Sequence, residues 1–254
     1  MQNKERNDKI LEYLKENKRA KVSELAQKMF VSETTVRRAL DELMDFGLVE
    51  RTHGGAVLHE NADEISVFVR VNKNPKEKER VATVALSCMP EFGTVFLDSS
   101  TTALALAGRL NLSHKTVVTN NLQAAMLLSG RHDVSLIFLG GEVLYRSNSV
   151  AGSMTMRELS GMRFDLMLAS CTAVEQDGAF ENSLGQCEIK RLAFEQSRKR
   201  ILLADSSKFQ EKGTYQVASL SDFDLVVTDK QPPFPVSNIR FLRMCIMGDG
   251  RISS

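Results

Sequence analysis

Apolar residues recur at three- and four-residue spacing through the first part of the chain, then give way to short runs separated by amphipathic stretches. In 5–16, Ile10, Leu11 and Leu14 share one face, which predicts a helix. Val22-Ser23 opens a second helix, with Ser23 as N-cap and Leu25, Ala26 and Met29 as the buried stripe. Phe30-Val31 is the turn. Ser32 caps a third helix, its hydroxyl satisfying a free backbone N–H, and Val36, Leu40 and Leu43 form the stripe of that helix. Thr34, Arg38, Asp41 and Asp45 lie opposite the stripe, with Thr35 and Arg37 on its flanks. Gly47 fits the residue that ends the helix. Residues 48–51 read as a strand, His53-Gly54-Gly55 as a tip and 56–58 as the returning strand.

Residues 59–75 read as a polar connector with a short extended patch, closed by Pro75. The expected division is therefore 1–58, a linker over 59–75, and 76–254. Beyond the linker, 76–87 is an amphipathic helix. Strands are then expected at 94–97, 116–118, 134–139, 164–169, 200–204 and 225–227, and helices at 102–110, 122–128, 154–160 and 186–197. Nearly continuous apolar strands alternating with helices predict a mainly parallel sheet covered on both faces, an α/β fold. After the proline break that follows Gln231, 239–244 offers one more strand.

Composition narrows the function. The chain has 254 residues, 43% of them hydrophobic, enough for two packed domains. A net charge of +1 excludes binding to nucleic acid by bulk charge, so any such binding needs a local patch. The cysteines Cys88, Cys171, Cys187 and Cys245 have no CxxC spacing and read as small core residues of a reducing compartment, with no metal site expected. The N-terminus MQNKERNDK is too polar for a signal peptide, and no apolar run reaches membrane-spanning length. The expectation is a cytoplasmic protein without a membrane partner.

Two constellations carry chemistry. The first is a winged helix-turn-helix. Arg37 and Arg38 can bond phosphates or the O6/N7 edge of guanine, and Thr34 and Thr35 can meet a thymine methyl or a phosphate. Lys21 and Ser32, at the helix starts, would grip the backbone. Arg51, Thr52 and His53 would form the wing contact, with Gly54 and Gly55 permitting close approach. A plain helical hairpin with solvated charges is the alternative reading.

The second is the set of loops after the expected strands. Asp98-Ser99-Ser100-Thr101-Thr102 follows one strand and opens a helix, an arrangement that suits an anion and equally an ordinary capped helix start. Thr119-Asn120-Asn121, Gly140-Gly141 and Asp205-Ser206-Ser207-Lys208 follow others. In an open α/β sheet ligands sit at the carboxyl ends of strands, so these loops converge on one crevice. Lys208 would be the cationic partner, though a single lysine is ordinarily a solvated one.

VSETTVRRAL followed by VERTHGGA resembles the N-terminal signature of the DeoR family of bacterial transcriptional regulators, and the resemblance runs through the second domain. It implies a sensor resembling ribose 5-phosphate isomerase in fold, with DSSTT at the phosphate loop and TNN, GG and ADSSKF at matching positions. It also adds Glu188 and Lys190 as a possible acid and base, against the alternative of an exposed helix face. The chain departs from the family at Ala39, where an acidic residue is usual, and in the loop Ser170-Cys171-Thr172-Ala173. The resemblance implies a repressor of a carbohydrate-utilisation operon, with double-stranded operator DNA and a phosphorylated sugar as partners. A homodimer or higher oligomer follows from paired half-sites. No cofactor and no catalytic residue are expected. The alternatives are a sugar-phosphate isomerase with an added DNA-binding domain and, with few aromatics available for stacking, an RNA-binding module.

Overall fold

The computed structural model describes residues 3–45, 48–58, 67–234 and 241–242. The chain divides into two compact units, Met1–Val69 and Arg70–Ser254.

In the first unit α1 (Asn3–Asn17) is followed by β1 (Arg19–Lys21), α2 (Val22–Met29), α3 (Glu33–Asp45), β2 (Val49–Thr52) and β3 (Gly55–Leu58). Ile10, Leu14, Val22, Leu25, Val36, Leu40, Leu43 and Ala56 close its core. Ser23 lies inside α2 and Lys21 takes the capping position. A lysine side chain has no acceptor, so the bond runs the other way, from the Lys21 backbone N–H to Glu24 at 3.3 Å. Phe30 turns left-handed at φ 55°, and Val31 N–H closes on Ala26 O at 3.1 Å. Ser32 caps α3 as expected, its Oγ accepting from Thr35 N–H at 3.2 Å. Gly47 and the side chain of Asp45 lie outside the described residues. β1 was not anticipated. It pairs with β3 to give an antiparallel sheet in the order β1-β3-β2. Gly55 is buried under it, where a Cβ would come within 2.2 Å of Ala20 O.

α4 (Val67–Asn72) straddles the division between the units and replaces the expected extended patch. The alternation of Val67, Val69 and Val71 reads as period two, yet the segment coils. Val67 is buried, Val71 is exposed, and Pro75 at the head of α5 (Pro75–Ser87) separates the two helices. The remaining connector, 59–66, lies outside the described residues.

The second unit continues with β4 (Thr94–Leu97), α6 (Thr101–Ala107), β5 (Thr116–Thr119), α7 (Leu122–Leu128), β6 (Ser135–Phe138), β7 (Glu142–Leu144), β8 (Ser149–Ala151) and α8 (Ser153–Ser160). Then come β9 (Phe164–Ala169), β10 (Ala173–Glu175), β11 (Gly178–Glu181), α9 (Leu184–Glu195), β12 (Ser197–Ala204), β13 (Tyr215–Ala218), β14 (Leu225–Thr228) and β15 (Phe241–Leu242). Seven strands form a parallel sheet in the order β15-β14-β12-β9-β4-β5-β6. Alternate residues of β4 and β9 feed opposite faces. Val95, Leu97, Leu166 and Leu168 pack with α5 and α6, whereas Phe96, Met167 and Ala169 pack with α8 and α9. The period-two pattern thus builds three layers. Two additions were not read from the sequence: the β7–β8 hairpin and the small antiparallel sheet β10-β11-β13. Of the strand expected at 239–244, only β15 lies within the described residues, and it pairs parallel with β14. Among the described residues no helix is long and apolar enough to cross a membrane.

Candidate functional site

The first unit presents a polar helix face. Burial of Val36, Ala39, Leu40 and Leu43 fixes the rotation of α3, leaving Thr34, Arg37, Arg38 and Asp41 exposed. Ala39, the departure from the family pattern, is a core residue with no exposure, so it makes no salt link. Arg37 bonds Glu33 one turn earlier at 2.8 Å, both half exposed, a pair of small energetic weight. Thr35 shares a 2.8 Å hydroxyl contact with Ser32 and is half-buried, so it serves the cap first. Arg51 leans from β2 towards α3, its Nε 3.5 Å from Asp41 Oδ1, and its Nη1 has no hydrogen-bond partner among the described residues. Sequence reasoning missed that Asp41 orients Arg51. Thr52, His53 and Gly54 form an exposed tip, with Gly54 at φ 80°, and Lys21 is exposed at the end of β1. Gly55 stands apart from this set because it is enclosed by β1.

The second unit gathers polar groups at the carboxyl ends of β12, β9, β4 and β5, four successive strands. Asp98 is buried at the end of β4. Its Oδ1 accepts from Ser100 N–H at 3.0 Å and from Ser100 Oγ at 2.5 Å. Its Oδ2 accepts from Ser170 N–H at 3.0 Å and pairs with Lys190 Nζ at 2.8 Å. Lys190 also donates to Glu181 at 2.5 Å and to Ser170 O at 2.6 Å. Burial alone would push this ammonium down, but the Asp98 and Glu181 carboxylates reverse the effect and hold it above the ordinary lysine value. Thr172 Oγ1 donates to Glu181 at 2.7 Å. The loop that departs from the family therefore braces the ion triad. Cys171 within it is buried, which pushes its thiol up to about 12.

Ser99 Oγ donates to Gln186 at 2.6 Å, and Gln186 Nε2 donates to Ser149 at 2.6 Å and Ser147 at 3.2 Å. Gln186 and Lys190 are four apart on α9 and both are buried, whereas Glu188, midway between them, is exposed. The expected Glu188–Lys190 pair is thus corrected. Lys190 joins the site, Glu188 does not, and Gln186 was missed. Thr101 and Thr102 are buried at the start of α6. Asn121 caps α7, its Oδ1 accepting from Gln123 and Ala124 N–H at 2.9 and 3.2 Å. Asn120 donates to Val150 O at 3.1 Å while its Oδ1 has no partner among the described residues. Gly140 and Gly141 are held against α8. A Cβ on Gly141, at φ 149°, would lie 2.1 Å from Thr155 Oγ1, so packing already accounts for that glycine.

Asp205 ends β12, its Oδ1 bonded to Ser207 N–H at 3.1 Å and its buried Oδ2 without a partner among the described residues. Lys208 is half-buried. Lys78, on α5, was missed because a helix lysine reads as solvated. It is buried, donating to Lys73 O at 2.7 Å and to Arg70 O. Burial brings its ammonium down to about 8, opposed by the Asp205 charge and reinforced by Lys208, so all three belong to one electrostatic neighbourhood.

Comparison with known proteins adds to this geometry. Residues 6–62 match the DeoR-like helix-turn-helix domain, and residues 73–230 match the DeoR C-terminal sensor domain. The glycerol-3-phosphate regulon repressor of Escherichia coli is 33% identical over 241 residues, covering 94% of this chain and 96% of its own. The L-fucose operon activator of Haemophilus influenzae is 31% identical, covering 90% and 92%. Among solved structures, ribose 5-phosphate isomerase A of Methanocaldococcus jannaschii matches 54% of this chain and 55% of its own at 15% identity, with a TM-score of 0.39.

Proposed function

The chain belongs to the DeoR family of bacterial transcriptional regulators, and from that premise we propose that it represses a carbohydrate-utilisation operon and is released by a phosphorylated sugar. In this reading residues 1–58 read operator DNA, 59–75 connect, and 76–254 sense the effector. The exposed face of α3 carries the DNA reading. Thr34, Arg37 and Arg38 stand clear of the core, and Asp41 holds Arg51 beside them. Arg38 and Arg51 suit phosphates or guanine edges, and Thr34 a thymine methyl. Lys21, Ser32, Thr35, Thr52, His53 and Gly54 complete the contact, while Gly55 supports the wing from beneath. Repression is taken from the name of the E. coli relative. The activator named among the relatives makes the sign of regulation a matter for direct test.

For the effector, the crevice supplies opposite needs at its two ends. Lys190 is already neutralised by Asp98 and Glu181, and the hydroxyls of Ser99 and Ser100 already donate to Gln186 and Asp98, so the phosphate falls to the hydroxyls of Thr101 and Thr102 with Lys208, while Ser99 and Ser100 hold the loop that presents them. The unpartnered acceptors Asn120 Oδ1 and Asp205 Oδ2 suit sugar hydroxyls. Asn121, Gly140 and Gly141 shape the loops. Two copies act together on paired half-sites. Locked into buried pairs, Asp98, Glu181 and Lys190 serve here as binding and bracing groups rather than as an isomerase's acid and base. The test is operator binding in a titration with sugar phosphates. One of them releases the wild-type chain, and the double variant Thr101→Val with Lys208→Ala keeps its operator affinity but no longer responds. A double variant that still releases DNA places the effector elsewhere. Turnover of ribose 5-phosphate by the wild-type chain would restore the enzyme reading.

A further inference from the structure

Lys78 stands where the sensor crevice meets the segment that leads to the DNA-reading unit. α4 runs through the division between the units, Val67–Val69 belonging to the first and Arg70 opening the second. The last carbonyls of a helix have no partner within it. Here Lys78, in the first turn of α5, supplies one: its Nζ donates to Arg70 O and, at 2.7 Å, to Lys73 O. The side chain doing this is buried. Closing the end of a six-residue helix does not require a buried cation, since a neutral donor would serve without the cost of desolvating a charge.

The reason for a charge lies on the other side of the ammonium. α5 packs against β12 through Val81 and Ala85 on one side and Ile201 and Leu203 on the other. Asp205 ends β12, and both Asp205 and Lys208 act electrostatically on the Lys78 ammonium. Asp205 Oδ2 is buried with no hydrogen-bond partner among the described residues. A second tie joins the same two segments from outside. Lys73, just past α4, pairs with Glu211, three residues beyond Lys208, at 3.1 Å, both half exposed. Lys78 is therefore claimed from two directions, by the carbonyls of α4 and by the negative charge of the crevice. Its flexible stem and rotatable donors suit it to move between them.

We propose that Lys78 couples the crevice to α4: an anion beside Lys208 draws the Lys78 ammonium away from the α4 carbonyls towards Asp205, and the end of α4 loosens. A ligand shifts such an equilibrium only by its differential affinity for the two arrangements, and the charge of a phosphate supplies that difference. Lys78 acts through α4 and is a positioning residue. The inference deepens the proposed sensing of a phosphorylated sugar and rests on the anion binding beside Lys208.

A double-mutant cycle on the full-length chain tests it without any sugar phosphate. Lys208→Glu changes the charge beside Lys78 by about two units, similar to that of a phosphate monoester. In the wild-type background it is expected to weaken operator affinity by about tenfold or more, and to speed amide hydrogen exchange across residues 70–74. In a Lys78→Met background, which has no ammonium to draw away, the same change is expected to shift operator affinity by less than about twofold and to leave exchange at 70–74 where K78M alone puts it. Glu211→Gln, at an exposed position, breaks only the outer tie and is expected to reduce the K208E effect to about threefold, which keeps the test open if K78M is recovered unfolded. Equal losses of affinity on K208E in all three backgrounds overturn the proposal. So does unchanged exchange at 70–74 when K208E is made in the wild-type chain. Release of DNA by a sugar phosphate is measured without any Lys78 variant. A chain that is released by one of them and still shows equal losses keeps the sensor reading and loses this coupling.

Discussion

Arg38 and Lys190 are both cations proposed to serve recognition, and they are kept in opposite surroundings. Arg38 stands on an exposed face of α3 with no ion pair among the described residues. Lys190 is enclosed, paired with two carboxylates and bonded to a carbonyl. A group that meets a polyanion in water needs no internal partner, and its cost is small until the partner arrives. A charge in the interior of an α/β sheet must be neutralised by its own chain, because desolvation is otherwise prohibitive. The consequence is a division of labour between the two units. Recognition groups on α3 are separable from stability, whereas those of the crevice are part of the fold.

The largest test of that contrast is Lys190→Met. It leaves Asp98 and Glu181 buried without a counter-ion, and a loss of about 3–5 kcal/mol is expected in urea unfolding. Adding Asp98→Asn and Glu181→Gln should return most of it, since the damage is the uncompensated charge. If the single variant unfolds like wild type, the crevice is not built as described. Arg38→Ala is the counterpart on α3. Operator affinity is expected to fall by about 1–3 kcal/mol with a shallower salt dependence, while the urea midpoint stays put. A shifted midpoint would remove the separation.

The smallest effect concerns Lys78. Its ammonium is lowered to about 8 in the fold, against about 10.4 in an unfolded chain. Between those values the unfolded state binds more protons, so stability is expected to rise with pH, by an amount of order 1 kcal/mol. Below pH 8 the full penalty is present. Lys78→Met should flatten this rise, which unfolding curves between pH 7 and 10.5 would reveal.

The contrast also explains what could be read from the chain. The rotation of α3 was legible because Val36, Leu40 and Leu43 repeat against a polar face and Ser32 marks its start. The strand ends were legible because polar and glycine clusters interrupt apolar runs. The interior of the crevice was not. Choosing Gln186 over Glu188 requires the rotation of α9, and that helix has polar residues on more than one face. Lys78 and the Asp41–Arg51 contact depend on tertiary neighbours. α4 was misread because valine at alternate positions imitates a strand. β1 is too short for periodicity to register.

Gly55 carries a warning for genetics. It sits one residue from the exposed wing tip, yet any Cβ placed on it would run into the Ala20 carbonyl. A screen for operator-blind mutants would recover Gly55 beside Arg38 and score the two alike. Only the Gly55 mutants would also disappear from the soluble fraction. Protein abundance must therefore be measured before any position on the wing is entered on a map of the DNA contact.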